Sequence, residues 1–284
     1  MRKAPRSWMA GPRTISEAEK DFTMLHIVVP MAGRGSRFTT AGYTLPKPLI
    51  PVHGVPMIQL VVANLRPQQL HRFVFLCQQD HLDQFPMEQT LREVAPNCCI
   101  VPVSGVTQGA ACTVLLAREQ IATSDPLMIA NSDQWVDYPI DDYLATLEHN
   151  RLDGLIMTMT ADDPKWSFVR PAPDQLITEV VEKRVISNEA TVGIYNFRHG
   201  SDFVAAAEQM IEHDLRVNGE FYVAPVYNQL IADHRRISYV NVGAEGAGMY
   251  GVGIPADLRL FEGHPVSARA LEAVDRCRVL PRAA

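Results

Sequence analysis

Four short apolar runs, His26–Val29, Phe73–Leu76, Ile100–Val103 and Leu127–Ala130, alternate with segments whose apolar residues fall at helical intervals. The helical segments are Pro56–Leu65, His81–Val94 with an interruption at Pro86, and Gly109–Ile121. Each reads as a short strand, the first two as buried ones. A β-α-β-α-β-α-β order joined by right-handed crossovers dictates an α/β fold: a Rossmann-like, mainly parallel sheet with helices on both faces. Ligands of such sheets bind at the carboxyl ends of the strands, near the point where strand order reverses. Two loops therefore matter most, the one after Val29 and the one after Ala130.

The pattern changes near Asp153. Leu155–Met159, Phe168–Val169, Ile177–Val181 and Val192–Phe197 are strand candidates between turn-rich segments, which predicts a mixed β extension of the sheet. A helix is expected over Ser201–His213 with Ser201 as N-cap, another over Glu220–Ala232 despite Pro225, and a strand over Ile237–Val242.

With 284 residues, 47% of them hydrophobic, the chain can bury one large α/β domain. Its 32 acidic residues outnumber 26 basic ones, so the overall field repels nucleic acid and anionic membrane, and any phosphate ligand needs a local cationic cluster. Neither nucleic acid nor membrane is an expected partner; self-association is left open. No apolar stretch approaches the roughly 18 residues of a membrane span. Five cysteines, an odd number without metal-ligand spacing, fit reduced thiols in a cytoplasmic protein. His53, His199 and the other histidines also lack ligand spacing and read as structural. Met1–Thr23 is polar, holds Pro5 and Pro12 and has no apolar centre, so it is expected to be a flexible extension, with Met24 as a candidate translation start.

The loop after the first strand carries Met31, Ala32, Gly33, Arg34, Gly35, Ser36 and Arg37. Glycines let the backbone approach a polyphosphate, and two guanidinium forks match phosphate oxygens. A Gly-x-Gly pair alone is equally compatible with a solvated turn. Leu45-Pro46-Lys47-Pro48-Leu49 adds weight, because the prolines stiffen a segment that carries a lysine ten residues beyond Arg37. Together these residues make a preformed cationic cradle. After the fourth strand, Asn131-Ser132-Asp133 places a carboxylate at a sheet edge, where it can bind a hard cation or simply cap a turn.

Pro30-Met31-Ala32-Gly33-Arg34-Gly35-Ser36-Arg37, followed by Pro46-Lys47-Pro48-Leu49, resembles the signature loop of sugar-phosphate nucleotidyltransferases, among them glucose-1-phosphate thymidylyltransferases and related capsule and lipopolysaccharide enzymes. The resemblance extends from Met24 to about Phe261. It implies transfer of an NMP from a nucleoside triphosphate to a small phosphorylated acceptor, a sugar 1-phosphate first of all, with release of pyrophosphate. It implies Arg37 and Lys47 on the departing phosphates, Asp133 as ligand of Mg2+, and base contacts from the Ala32-Gly33 backbone and from Gln108-Gly109. Residues Met31, Arg34, Gly35, Ser36, Asn131 and Ser132 would complete the nucleotide site. Glu182 would bind sugar hydroxyls and Lys183 the acceptor phosphate, with Asn218 and Glu220 nearby. The chain then divides into a nucleotide-binding half, 24–150, an acceptor-binding half, 151–262, and a tail, 263–284, within one domain.

One departure stands out. Gly251 occupies a position where such enzymes often carry a second metal-binding aspartate, which puts coordination by two carboxylates in doubt. Lys165-Trp166-Ser167-Phe168 is also unusual and suggests a different acceptor pocket, such as one for phosphocholine. Alternatives are a cytidylyltransferase for a non-sugar phosphate, a nucleotide-sugar-dependent glycosyltransferase and a non-catalytic NTP-binding module. A dinucleotide oxidoreductase fits poorly, because Phe38 stands where the third glycine of its loop belongs.

Overall fold

The computed structural model describes residues 23–279; the expected extension before Thr23 lies outside them. In chain order the strands are β1 (Leu25–Pro30), β2 (Pro51–Val52), β3 (Val55–Pro56), β4 (His71–Gln78), β5 (Cys99–Val103), β6 (Leu127–Ala130), β7 (Gln134–Val136), β8 (Gly154–Thr160), β9 (Ser167–Pro171), β10 (Ile177–Glu182), β11 (Glu189–Phe197), β12 (Ile237–Glu245) and β13 (Gly248–Gly251). The helices are α1 (Ser36–Thr40), α2 (Met57–Leu65), α3 (Gln79–Gln84), α4 (Met87–Val94), α5 (Ala110–Leu115), α6 (Arg118–Ile121), α7 (Ile140–His149), α8 (Gly200–Glu212), α9 (Tyr227–Ala232), α10 (Pro255–Gly263) and α11 (Val266–Val279).

Eleven strands form one sheet in the order β5-β4-β1-β6-β11-β8-β12-β13-β7, with β9 joined to β11 and β10 to β9. The β5-β4-β1-β6 portion is parallel, and β11 then runs antiparallel to β6. Because β1 and β6 are parallel neighbours, the loops after them open on the same edge, beside the reversal at β11.

Alternation along β1 explains why helices cover both faces: Leu25, Ile27 and Val29 enter one core, and Val28 enters the other. A third cluster sits beside the sheet, where Phe38 and Trp135 meet α2, α10 and α11 through Met57, Leu258, Phe261, Val266, Ala270 and Val274. Within the expected tail 263–284, the described residues form α11, which packs on α2. No helix of the described residues is long and apolar enough to cross a membrane.

Local differences from the sequence expectations have identifiable causes. The loop 31–47 holds the short helix α1, anchored by Phe38, which is buried and meets Tyr43 edge-on at 5.1 Å. Burying such a ring stabilises by roughly 1.5–3 kcal/mol, enough to pin the loop. The helix expected over 109–121 divides into α5 and α6, because Leu116 and Ala117 donate to Thr113 and Val114 and so tighten the last turn of α5. Ser201 is not an N-cap: α8 begins at Gly200, and the backbone N–H groups of Gly200 and Ser201 donate to Asp125 and Thr123 carbonyls. The helix expected from Glu220 starts later, with a 3-10 turn at Ala224–Val226 before α9. Glu220 and Phe221 donate instead to Val217 and Gln108, so their N–H groups are spent outside any helix.

Candidate active site

The phosphate-type loop folds back on itself. Gly35 adopts φ 60 before α1, and a Cβ there would lie 3.3 Å from Cβ of Lys47, so the two ends of the loop touch. Only a residue tolerant of left-handed backbone serves at such a reversal. Pro46, Pro48 and Leu49 are buried and hold the segment around Lys47, whose Nζ donates to Asp133 Oδ2 at 2.9 Å across 86 residues of sequence. Both side chains keep some solvent contact, 21% and 29% exposed, so the pair is one that an arriving anion or cation can exchange.

Asp133 follows β6 and is fixed on its far side. Its backbone carbonyl accepts from Val252 N–H at 2.9 Å, and a Cβ at Gly253 would fall 2.3 Å from its Oδ2. The three atoms nearest that position all belong to the Asp133 side chain. Gly253→Ala is therefore expected to leave the fold intact and swing the carboxylate off Lys47. Thermal unfolding should stay near wild type while Mn2+ titration shows weaker cation binding than in wild type; unchanged binding would contradict this.

Arg34 and Arg37 are exposed, as are Gly33 and Ser36. Arg34 borders a cavity of about 600 Å³ with Gly35, Lys47, Asp80 and His81. Met31 is buried and Ala32 half-buried; the Ala32 carbonyl accepts from Gln78 Nε2, which also donates to Gly105 O at 2.8 Å. Gln78 was not singled out by sequence, although it ends β4 at the same sheet edge. A larger cavity, about 680 Å³, is lined by Arg66, His71 and Cys98 and by none of the candidate site residues.

The second group of candidates gathers beside β9 to β11. Lys183 sits at φ 55 just after β10, and its Nζ donates to Tyr222 Oη at 2.6 Å while lying 4.8 Å from the ring centroid. This bond is the main cause of an upward shift in the Lys183 pKa. Glu182 is raised by desolvation, against the opposing effects of its bond from Ser167 Oγ and of Lys183. Glu220 is close enough to raise Glu182 further. Asn218, at φ 50, occupies the tight turn that closes Val217 against Glu220. The sequence points to the Asn218–Tyr222 segment but assigns Tyr222 no role; its distance of 39 residues from Lys183 left no local signal of their bond.

β11 connects the two groups. Asn131 N–H donates to Gly193 O, while three residues earlier Ala190 pairs with Phe168, the neighbour of Ser167. At about 3.3 Å per residue, this places the Asp133 loop and the Glu182 cluster on the order of 10 Å apart along one strand. Gln108 and Gly109 meet the segment that carries Glu220 and Tyr222: Phe221 N–H donates to Gln108 O at 2.8 Å, and Ala111 N–H to Phe221 O at 3.0 Å.

Among the described residues no group of three or more His, Cys, Asp or Glu side chains is placed to hold a metal. A hard cation fits here through carboxylate oxygen supplemented by phosphate oxygens and water, the donor set that magnesium favours. Asp257, at the start of α10, also faces this edge: its pKa is raised by desolvation and by Glu245, and Lys165, Arg37 and Asp133 all act on it.

Residues 27–234 match the family model described as Nucleotidyl transferase. A mannose-1-phosphate guanyltransferase from Schizosaccharomyces pombe is 28% identical over 175 residues, 59% of this chain and 48% of that protein. Mannose-1-phosphate guanyltransferase beta-B from Xenopus laevis is 25% identical over 179 residues, 60% of this chain and 49% of its own. The chain thus spans about half the length of the curated relatives it matches. Among solved structures, a nucleoside-diphosphate-sugar pyrophosphorylase from Vibrio cholerae RC9 superimposes with a TM-score of 0.71 at 26% identity, covering 84% of this chain and all of that one. An inositol-1-phosphate CTP transferase from T. maritima shares the fold, with a TM-score of 0.65 at 15% identity over 92% of this chain and 99% of its own.

Proposed function

Because the chain belongs to the nucleotidyl transferase family, we propose that it transfers the NMP of a nucleoside triphosphate to a sugar 1-phosphate and releases pyrophosphate. The observation that carries this reading is the Lys47–Asp133 contact, which joins a cationic loop to a carboxylate at the ligand-binding edge of the sheet. The curated relatives make GTP and mannose 1-phosphate the first pair to test.

In the proposed reaction an acceptor phosphate oxygen attacks the α-phosphorus and the bond to the β-phosphate oxygen breaks. A phosphate monoester has a second pKa of ~6 and is largely dianionic at neutral pH, so the protein need not remove a proton. Arg37 and Lys47 neutralise the departing pyrophosphate, and Lys183 with Tyr222 holds the acceptor phosphate against the repulsion of the triphosphate. Glu182 and Glu220 accept from acceptor hydroxyls. Gln108, Gly109 and the Ala32-Gly33 backbone receive the base, with Met31, Arg34, Gly35, Ser36, Asn131 and Ser132 lining the rest. Mg2+ held by Asp133 would supply charge neutralisation to the phosphates. A cytoplasmic location and a role in surface polysaccharide synthesis belong to the same proposal.

Each of the four common NTPs and dTTP, incubated with magnesium and with mannose 1-phosphate, glucose 1-phosphate, inositol 1-phosphate or phosphocholine, should identify one pair that releases pyrophosphate and yields an NDP-linked product. Nucleotide binding without pyrophosphate release from any pair would reduce the protein to a binding module.

A further inference from the structure

We propose that Asp257 is the second carboxylate ligand of the cation site, reaching into the space that Gly251 leaves beside Asp133. This rests on the transferase reading above and deepens it, since neither the order of residues nor the family match assigns Asp257 a role.

The argument begins with a bare strip of backbone. Tyr250 and Val252 point into the third core, so the intervening Gly251, and Gly253 beyond it, turn toward the opposite side. A carboxylate stands at each of these two positions. A Cβ on Gly251 would meet Asp257 Oδ2 at 3.4 Å, and one on Gly253 would meet Asp133 Oδ2 at 2.3 Å. Val252 N–H, bonded to the Asp133 carbonyl, fixes the strip against Asp133. Two side chains 124 positions apart are thus held on one side of three residues, two of which contribute no side chain of their own.

Asp257 has no other evident occupation. It lies in the first turn of α10, where the helix dipole favours a negative charge, yet no side-chain cap bond is made there. Among the described residues its carboxylate makes no hydrogen bond or ion pair, whereas its neighbours are engaged: Lys165 with Glu245 at 3.1 Å and Asp163 at 3.7 Å, Asp133 with Lys47. Arg37, the loop residue assigned to the leaving phosphates, lies near enough to act on it. A half-buried carboxylate with no protein partner, facing a second carboxylate and the phosphate loop, has the chemistry of an oxygen ligand for a small divalent cation. Gly251 removes the side chain that would otherwise fill the gap, and Asp257 enters it from the next helix.

The test uses Mn2+ with the α,β-methylene analogues of GTP, UTP, CTP, ATP and dTTP, read by electron paramagnetic resonance and by calorimetric titration of the full chain. Variants are D133N, D257N, G251D and G251D/D257N, with D257S and G251D/D257S as a second series, each checked by thermal unfolding. D257N and D257S should weaken nucleotide-dependent Mn2+ binding by about tenfold or more, a range typical of damage to a metal site. Both double variants should regain most of it, because a carboxylate then returns from position 251. Wild-type Mn2+ affinity and spectrum in D257N and D257S, with loss in D133N, would overturn the role of Asp257 and leave the transferase reading standing. Failure of every analogue to recruit Mn2+, or indifference of binding to D133N, would remove the reading on which the inference rests.

Discussion

Replacing Lys47 by methionine is expected to lower pyrophosphate release by about 10²–10³-fold, the loss typical of removing one fixed charge donor from a transition state. Methionine keeps most of the aliphatic length, and the segment is anchored independently by buried Pro46, Pro48 and Leu49. The folded state should therefore survive: the Lys47–Asp133 pair is partly solvated, and such pairs contribute roughly 0–1 kcal/mol. The kinetic consequences divide in a diagnostic way. Asp133 loses the cation that shares its Oδ2, so cation affinity is retained or improved, while leaving-group charge loses its counter-ion. A fall in kcat with unchanged or lower magnesium demand is the expected pattern, and Lys47→Arg should recover only part of the rate, since a planar fork does not replace a compact ammonium. Steady-state kinetics at saturating nucleotide, with thermal unfolding as a control, decides the matter. Activity of Lys47→Met within about threefold of wild type would exclude Lys47 from the chemistry.

How much of this site the sequence displays depends on the range of each interaction. The runs at His26, Phe73 and Leu127 announce their strands because burial on both faces leaves no polar alternation, whereas the run at Ile100 is a partly buried edge strand with Pro102 exposed. The cationic loop is visible because its residues lie within one segment, and Asp133 because it follows a recognisable strand. That Lys47 reaches Asp133 is not readable, since only the fold brings those positions together. Tyr222 is hidden for the same reason: the sequence presents Glu220–Ala232 as helical, and nothing local reveals that Phe221 donates to Gln108 instead. Gly251 is visible as a missing carboxylate, whereas Asp257 six residues on reads as an ordinary acidic residue in a first helical turn. Its direction is set by β13 and α10 together. Asn218 is a different case. A polar residue beside an acceptor segment invites a binding role, and the fold adds what the sequence does not display, that it sits at φ 50 in the turn closed by the Val217–Glu220 pairing.

The largest stability effect is expected from Gly109→Ala, where the obstacle is backbone. A Cβ there would fall 2.4 Å from the Phe221 carbonyl oxygen and 2.6 Å from its nitrogen, and Gly109 itself sits at φ 123, outside the reach of an L side chain without strain. No rotamer change relieves such a contact, in contrast to Gly253, where a carboxylate can turn away. Nor can Phe221 retreat freely. Its ring is fully buried in the second core, the Arg216 guanidinium lies 4.4 Å over it, and its N–H and C=O both bond to the 108–111 segment. Separating the segments forfeits part of the ring's burial, roughly 1.5–3 kcal/mol. It also weakens two hydrogen bonds worth about 0.5–1.5 kcal/mol each. A total loss of about 3–5 kcal/mol is therefore expected, among the larger single-residue effects. For a chain of this size that corresponds to a fall in melting temperature of roughly 6–15 °C. The same junction joins Gln108, proposed to face the base, to the segment of Tyr222, which accepts from Lys183, proposed to face the acceptor. In protein that remains folded at low temperature, KM for nucleotide and KM for acceptor should rise together. Urea unfolding and steady-state kinetics measure the two effects separately; a wild-type unfolding midpoint would show that the two segments do not meet as described, and a rise in only one KM would show that the junction does not join the two subsites.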